Sequence, residues 1–130
     1  MSVREGDRED SNLKYIQDAE KLCAHTLQMC NNPNHFPEPA LANQMKEEAI
    51  QTLCNLRYNL SAYTLNKKDT KTLFKCQLAA MAHLDALQSL LKQAYDSKFY
   101  HIDSDSVEYW IGLIVATEES IKQLGLIPIC

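Results

Sequence analysis

The chain of 130 residues is 45% hydrophobic and 23% charged, with a net charge of −4 at neutral pH. That is room for one domain with a single apolar core and an ordinary charged surface. Three glycines and four prolines disfavour a turn-rich β-sandwich and suit long helices joined by few loops. No apolar run approaches the roughly 20 residues that cross a bilayer, and the charged first ten residues offer no secretory signal. A cytoplasmic location without membrane contact is expected.

Residues 1–10 are mixed in charge and lack apolar periodicity, and read as a flexible polar arm ahead of one four-helix domain at 11–130. The first helix is expected to start near Asp10 or Ser11, either of which can cap its free N–H groups. Its apolar seam is Ile16, Ala19, Cys23, Leu27 and Cys30, widened by Leu13 and Leu22. Asn31-Asn32-Pro33-Asn34 stops it, because asparagine favours turns and proline cannot extend the hydrogen-bond ladder. After the stiff connector His35-Phe36-Pro37-Glu38, Pro39 suits the first turn of a second helix, where a missing N–H costs nothing. That helix runs to about Leu65, with a seam at Leu41, Met45, Ala49, Thr52, Leu56, Leu60 and Tyr63.

Asn66-Lys67-Lys68-Asp69 breaks the pattern, and Asp69 is a good cap for a third helix. The third seam is the most regular: Leu73, Gln77, Ala80, Leu84, Leu87, Leu91 and Ala94, alternately four and three apart, the rhythm of a helix packed along its length against other helices. It is expected to end between Ser97 and Tyr100. His101-Ile102-Asp103-Ser104 makes the next turn, with Asp103 or Ser104 as cap. The fourth seam follows at Val107, Trp110, Ile114, Thr117, Ile121 and Leu124, closed by Gly125 and Pro128. Four seams of one period and three short connectors predict an all-α, antiparallel up-down-up-down four-helix bundle.

Residues that could carry chemistry are scattered. The five cysteines, Cys23, Cys30, Cys54, Cys76 and Cys130, form no C-x-x-C or zinc-ribbon pattern and read as free, buried thiols. None of His25, His35, His83 and His101 follows a glutamate by three, so the di-iron bundle signature is missing. His83 reads as a flanking or surface residue. The adjacent pairs Glu47-Glu48 and Glu118-Glu119 diverge by about 100° on a helix and read as solvated faces. There is no Gly-x-Ser-x-Gly elbow and no phosphate-cradling glycine loop. No metal and no cofactor are expected, and the chain does not read as an enzyme.

Charge is distributed unevenly. Between Asn43 and Lys75 six basic residues face three acidic ones, whereas from Asp96 onward two face six. Arg57, Lys67, Lys68, Lys71 and Lys75 gather toward the hairpin of helices two and three. They are the candidate nucleic-acid-binding residues, since clustered cations hold phosphates by releasing counterions. No aromatics are interleaved closely enough among them to indicate base recognition. Tyr15, Tyr58, Tyr95, Phe99, Tyr100 and Tyr109 sit beside or off the seams, and some are expected on the flanks or outside. Leu53 with Tyr58 on helix two, and Met81 with Leu90 on helix three, widen their apolar faces. Faces this wide usually serve another subunit, so a homo-oligomer is expected.

Several packing runs resemble a known family. They are Phe36-Pro37, the stretch from Ala49 to Asn59, Ala79-Ala80-Met81-Ala82-His83-Leu84-Asp85-Ala86-Leu87, Leu90-Leu91-Lys92-Gln93-Ala94-Tyr95 and Leu124-Gly125. The order of features, over about residues 12–127, is similar to the bacterial four-helix-bundle proteins that include the accessory variability determinant of diversity-generating retroelements. Proteins encoded by intervening sequences of ribosomal RNA genes are related to these. The resemblance implies a pentameric, non-enzymatic accessory protein that binds a reverse transcriptase and RNA or DNA. Such proteins have basic surfaces; here only Arg57 and Lys67 to Lys75 match that property. The alternative from the residues alone is a protein–protein adaptor bundle without nucleic-acid binding.

Overall fold

The computed structural model describes residues 2–97 and 101–124, with the side chains of 2–12 left out. Four helices follow in order: α1 (Ser2–Cys30), α2 (Pro39–Leu65), α3 (Thr70–Asp96) and α4 (Ser104–Lys122), with no strand among the described residues. Each consecutive pair is in contact, α4 closes back on α1, and the diagonal pairs have no Cα atoms within 8 Å. The result is a four-helix bundle around one core. The α2–α3 pairing is the closest and α3–α4 the most open.

Side-chain contacts give the direction of each helix. Tyr15, Glu20 and Asn31 of α1 meet Asn59, Arg57 and Lys46 of α2, so one number rises as the other falls. Asn59 and Glu48 of α2 meet Leu73 and His83 of α3 in the same opposed sense. Tyr15 shares a cavity with Gln123 and Leu124, which directly follow α4, while Thr26 bonds Trp110. Neighbouring helices therefore run antiparallel.

The seams account for the core. Every position of the α3 seam, from Leu73 to Ala94, is buried, as are Val107, Trp110, Ile114, Thr117 and Ile121 of α4. Each fully buried leucine or isoleucine contributes about 1.5–3 kcal/mol relative to exposure. Trp110 fills the centre at 0% exposure, its indole N–H donating to Thr26 Oγ1 at 3.0 Å. Its ring meets His25 and Phe36 edge to face, with centroids 5.4 and 6.4 Å away, the arrangement that aromatic quadrupoles prefer. Burial pushes the His25 imidazole below its usual range and so favours the neutral ring.

Four expectations are corrected. Helix α1 begins at Ser2 rather than near Asp10, so residues 2–10 are helical in backbone. They contain no proline, and opposite charges recur three apart at Arg4/Asp7 and Glu5/Arg8, a spacing that supports a helix without apolar periodicity. Tyr15, read as flanking, is 3% exposed and reaches Asn59 Oδ1 at 3.3 Å; burial first, and the nearby Tyr63 second, push its hydroxyl up to about 12. Tyr63, read as a seam residue, is 42% exposed, because it lies where α2 runs past the filled core. Cys23, Cys30 and Cys76 are buried free thiols as expected, whereas Cys54 is exposed. Burial raises Cys30 to about 12, which keeps it a thiol. Phe99, Tyr100, Gly125, Pro128 and Cys130 lie outside the described residues.

The helix ends are held by their caps. Asp69 accepts from the Thr72 backbone N–H at 3.2 Å, and Asp103 from that of Ser106 at 2.7 Å. At the Asp103 end, His101 N–H donates to His35 O at 3.0 Å, and His35 Nδ1 lies 2.9 Å from His101 O. The connectors α1–α2 and α3–α4 are thereby tied to each other. Ser106, through its backbone N–H first and its hydroxyl second, holds the Asp103 carboxyl below its usual range. A carboxylate depressed in the folded state stabilises above its unfolded pKa and loses that contribution as pH falls through the folded one. Asp103→Ala should therefore melt below the wild type at neutral pH, and the two should converge as the pH falls through the folded-state pKa of Asp103. A gap independent of pH would show that the charge does not carry the effect.

Candidate nucleic-acid interface

The hairpin between α2 and α3 turns in four residues, Asn66 to Asp69, with Asn66 Oδ1 accepting from the Lys68 backbone N–H at 3.1 Å. This tight turn brings Lys67 and Lys68 beside Lys71 in the first turn of α3. Lys71, Lys75, Leu78, Ala82 and Asp85 are all exposed at spacings of four, three, four and three, which defines the outward face of that helix. All four lysines are exposed, and none is within ion-pair distance of a described carboxylate. Asp69, the acid closest in sequence, has its Oδ1 engaged by the cap. Lys67 Nζ instead lies 5.8 Å from the centroid of the Tyr63 ring, within cation–π range.

Arg57 does not belong to this group. Its Nη2 is 3.0 Å from Glu20 Oε2, which places it on the α1–α2 seam and gives it an acidic partner. The pair is exposed on both sides and contributes little to stability, but it reduces what Arg57 offers to a ligand. Tyr63 is the residue that sequence reasoning missed here. Its signal was the spacing of four from Lys67, one helical turn, which the expectation that no aromatic was interleaved closely enough among the cations passed over.

Acidic side chains collect elsewhere. The open α3–α4 seam forms a groove of about 620 Å³ lined in part by Asp85, Asp96, Tyr95, Val107 and Ile111. Glu118 is half-buried nearby, its carboxyl pushed up by burial first and by Asp85 second. His83 bridges α3 to α2, with Nδ1 2.6 Å from Glu48 Oε2, both side chains partly shielded. Glu48 is thus tied to a neighbouring helix rather than merely solvated. His35 and His101, though adjacent, meet through one backbone–backbone bond and one contact of the His35 ring with the His101 carbonyl, not as two rings on one centre. Among the described residues no group of three or more His, Cys, Asp or Glu is placed to hold a metal ion.

A second cavity, of about 180 Å³, opens at the hairpin end of the bundle and takes residues from α1, α2, α3 and the two residues that follow α4. Tyr15, Asn59 and Gln77 form its polar side; Leu60, Tyr63, Leu73 and Leu124 form much of the rest. Among the described residues no helix is long and apolar enough to cross a membrane. No protein-family model matches the chain, and no curated protein or solved structure matches it either.

Proposed function

We propose that this bundle is a non-enzymatic, self-associating accessory protein that holds the phosphate backbone of RNA or DNA against the α2–α3 hairpin, beside a reverse transcriptase. The observation that supports the reading is the gathering of Lys67, Lys68, Lys71 and Lys75, all exposed and without an acidic partner among the described residues, at one end of an otherwise acidic molecule. Four cations in so short a stretch make a local field that attracts phosphates despite a net charge of −4. The family resemblance supports the accessory role and a cyclic homo-oligomer such as a pentamer. Self-association is further supported by Tyr58, Leu65, Leu78, Tyr95 and Tyr109, each at least 45% exposed.

Binding to single-stranded RNA measured across a salt series tests the reading. Four phosphate contacts on a single strand give a log–log slope of about −2.8, or roughly a 50-fold loss of affinity between about 50 and 200 mM salt. No retention at the lowest salt would overturn it and leave a protein–protein adaptor as the better account. Light scattering that shows only monomer at micromolar concentration would remove the oligomer from the proposal.

A further inference from the structure

The α3 seam is apolar at every buried position but one. Gln77 stands between Leu73 and Ala80 at 2% exposure, where a leucine would continue the pattern. A buried carboxamide costs stability unless its atoms are hydrogen-bonded, and Gln77 Oε1 has no partner among the described residues. Gln77 lines the hairpin-end cavity. Beside it Asn59, 3% exposed, donates Nδ2–H to Leu73 O at 3.0 Å and accepts from the Tyr15 hydroxyl at 3.3 Å. Asn59 is thus held by two partners, while the Gln77 Oε1, itself buried, has none among the described residues.

The other walls describe the ligand. Leu60, Leu73 and Leu124 are apolar, Tyr63 supplies a flat ring, and Lys67 stands 5.8 Å over that ring. A guest that fits is planar and largely apolar, carries an N–H donor, and is attached to an anion. These are the features of one nucleotide of an unpaired strand, whose base has a π-face for stacking and polar edges for hydrogen bonds. We propose that the cavity receives a single unpaired nucleobase from a strand whose phosphates lie on Lys67 and Lys68, with a base N–H donating to the Gln77 carboxamide oxygen.

The inference rests on the phosphate-binding reading and adds to it a preference for single strands. A base in a duplex is stacked and paired, so it enters such a pocket only after extrusion. Duplex binding then depends on the lysines alone, and single-strand binding on lysines and cavity together.

The test compares a single strand with a duplex of the same sequence at low salt, by fluorescence anisotropy. Gln77→Leu keeps the side-chain volume and removes the acceptor; it should weaken single-strand binding roughly 3- to 10-fold and leave duplex binding unchanged. Tyr63→Ala removes an exposed ring and should weaken it roughly 5- to 100-fold. A strand carrying 2-aminopurine should change its fluorescence on wild-type protein and not on Tyr63→Ala. Equal affinity for both forms, unaffected by either variant but lost when the four lysines are replaced, would overturn the pocket and leave the lysine reading standing. Failure of the wild type to bind any nucleic acid would overturn both.

Discussion

Trp110→Ala should cost this bundle about 4 kcal/mol, within the range measured for truncating a large aromatic in a core. The ring is 0% exposed, and its removal opens a hole at the level where α1, α4 and the α1–α2 connector meet. Two further losses accompany the cavity. The Thr26 hydroxyl, also 0% exposed, loses the indole N–H that now donates to it, and an unsatisfied buried polar group is destabilising. Phe36 and His25 lose their edge-to-face partner. Against a total stability of about 5–15 kcal/mol for a domain of ordinary size, the loss is large, and the melting temperature should fall by roughly 15 °C. Trp110→Phe separates the parts, since it restores most of the volume without the N–H; its cost should be less than half as large. Chemical denaturation of both variants checks this. A change under about 1 kcal/mol for Trp110→Ala would mean that the ring is not packed at the centre.

The second large effect concerns binding rather than folding. Replacing Lys67, Lys68, Lys71 and Lys75 together with glutamate should reduce affinity for RNA at least about 100-fold at low salt and flatten the salt dependence. Stability should change little, because all four side chains are exposed and carry no ion pairs among the described residues. Arg57→Ala is the informative comparison. Its guanidinium is already engaged by Glu20, so affinity should stay within about threefold. If the quadruple variant binds as tightly as the wild type, the hairpin end is not the interface. If Arg57→Ala loses as much as the quadruple variant, the interface extends onto the α1–α2 seam.

How much of this was legible in the sequence depended on how local each feature is. The α3 and α4 seams repeat at helical spacing, and their buried sets match the expectation from Leu73 to Ile121. Boundaries set by proline or by a capping aspartate, at Pro39, Asp69 and Asp103, are equally local and fall where expected. The start of α1 was missed because its first turns have no apolar rhythm to read. Tyr15 and Tyr63 were exchanged between inside and outside at one place, since both line the hairpin-end cavity, where helical spacing alone does not set burial. For the candidate site, the lysines of the hairpin were visible as a run. Arg57 joined them only because a linear charge count does not record which face a side chain takes. The cavity was invisible, since it draws its lining from three helices and the residues after the fourth, and no spacing in one helix reports it. Gln77 was its single trace, the one long polar side chain in the third seam.

The backbone tie between His35 and His101 gives the molecule a mechanical direction. One pole of the bundle is laced across two connectors and backed by Phe36 and Trp110; at the other, among the described residues, the α2–α3 hairpin and the Tyr15–Asn59–Leu73 hydrogen bonds stand beside a cavity of about 180 Å³. Amide exchange should accordingly be faster in the helix turns around that cavity than beside His35 and His101. A bundle so built would part like forceps, tips before pivot.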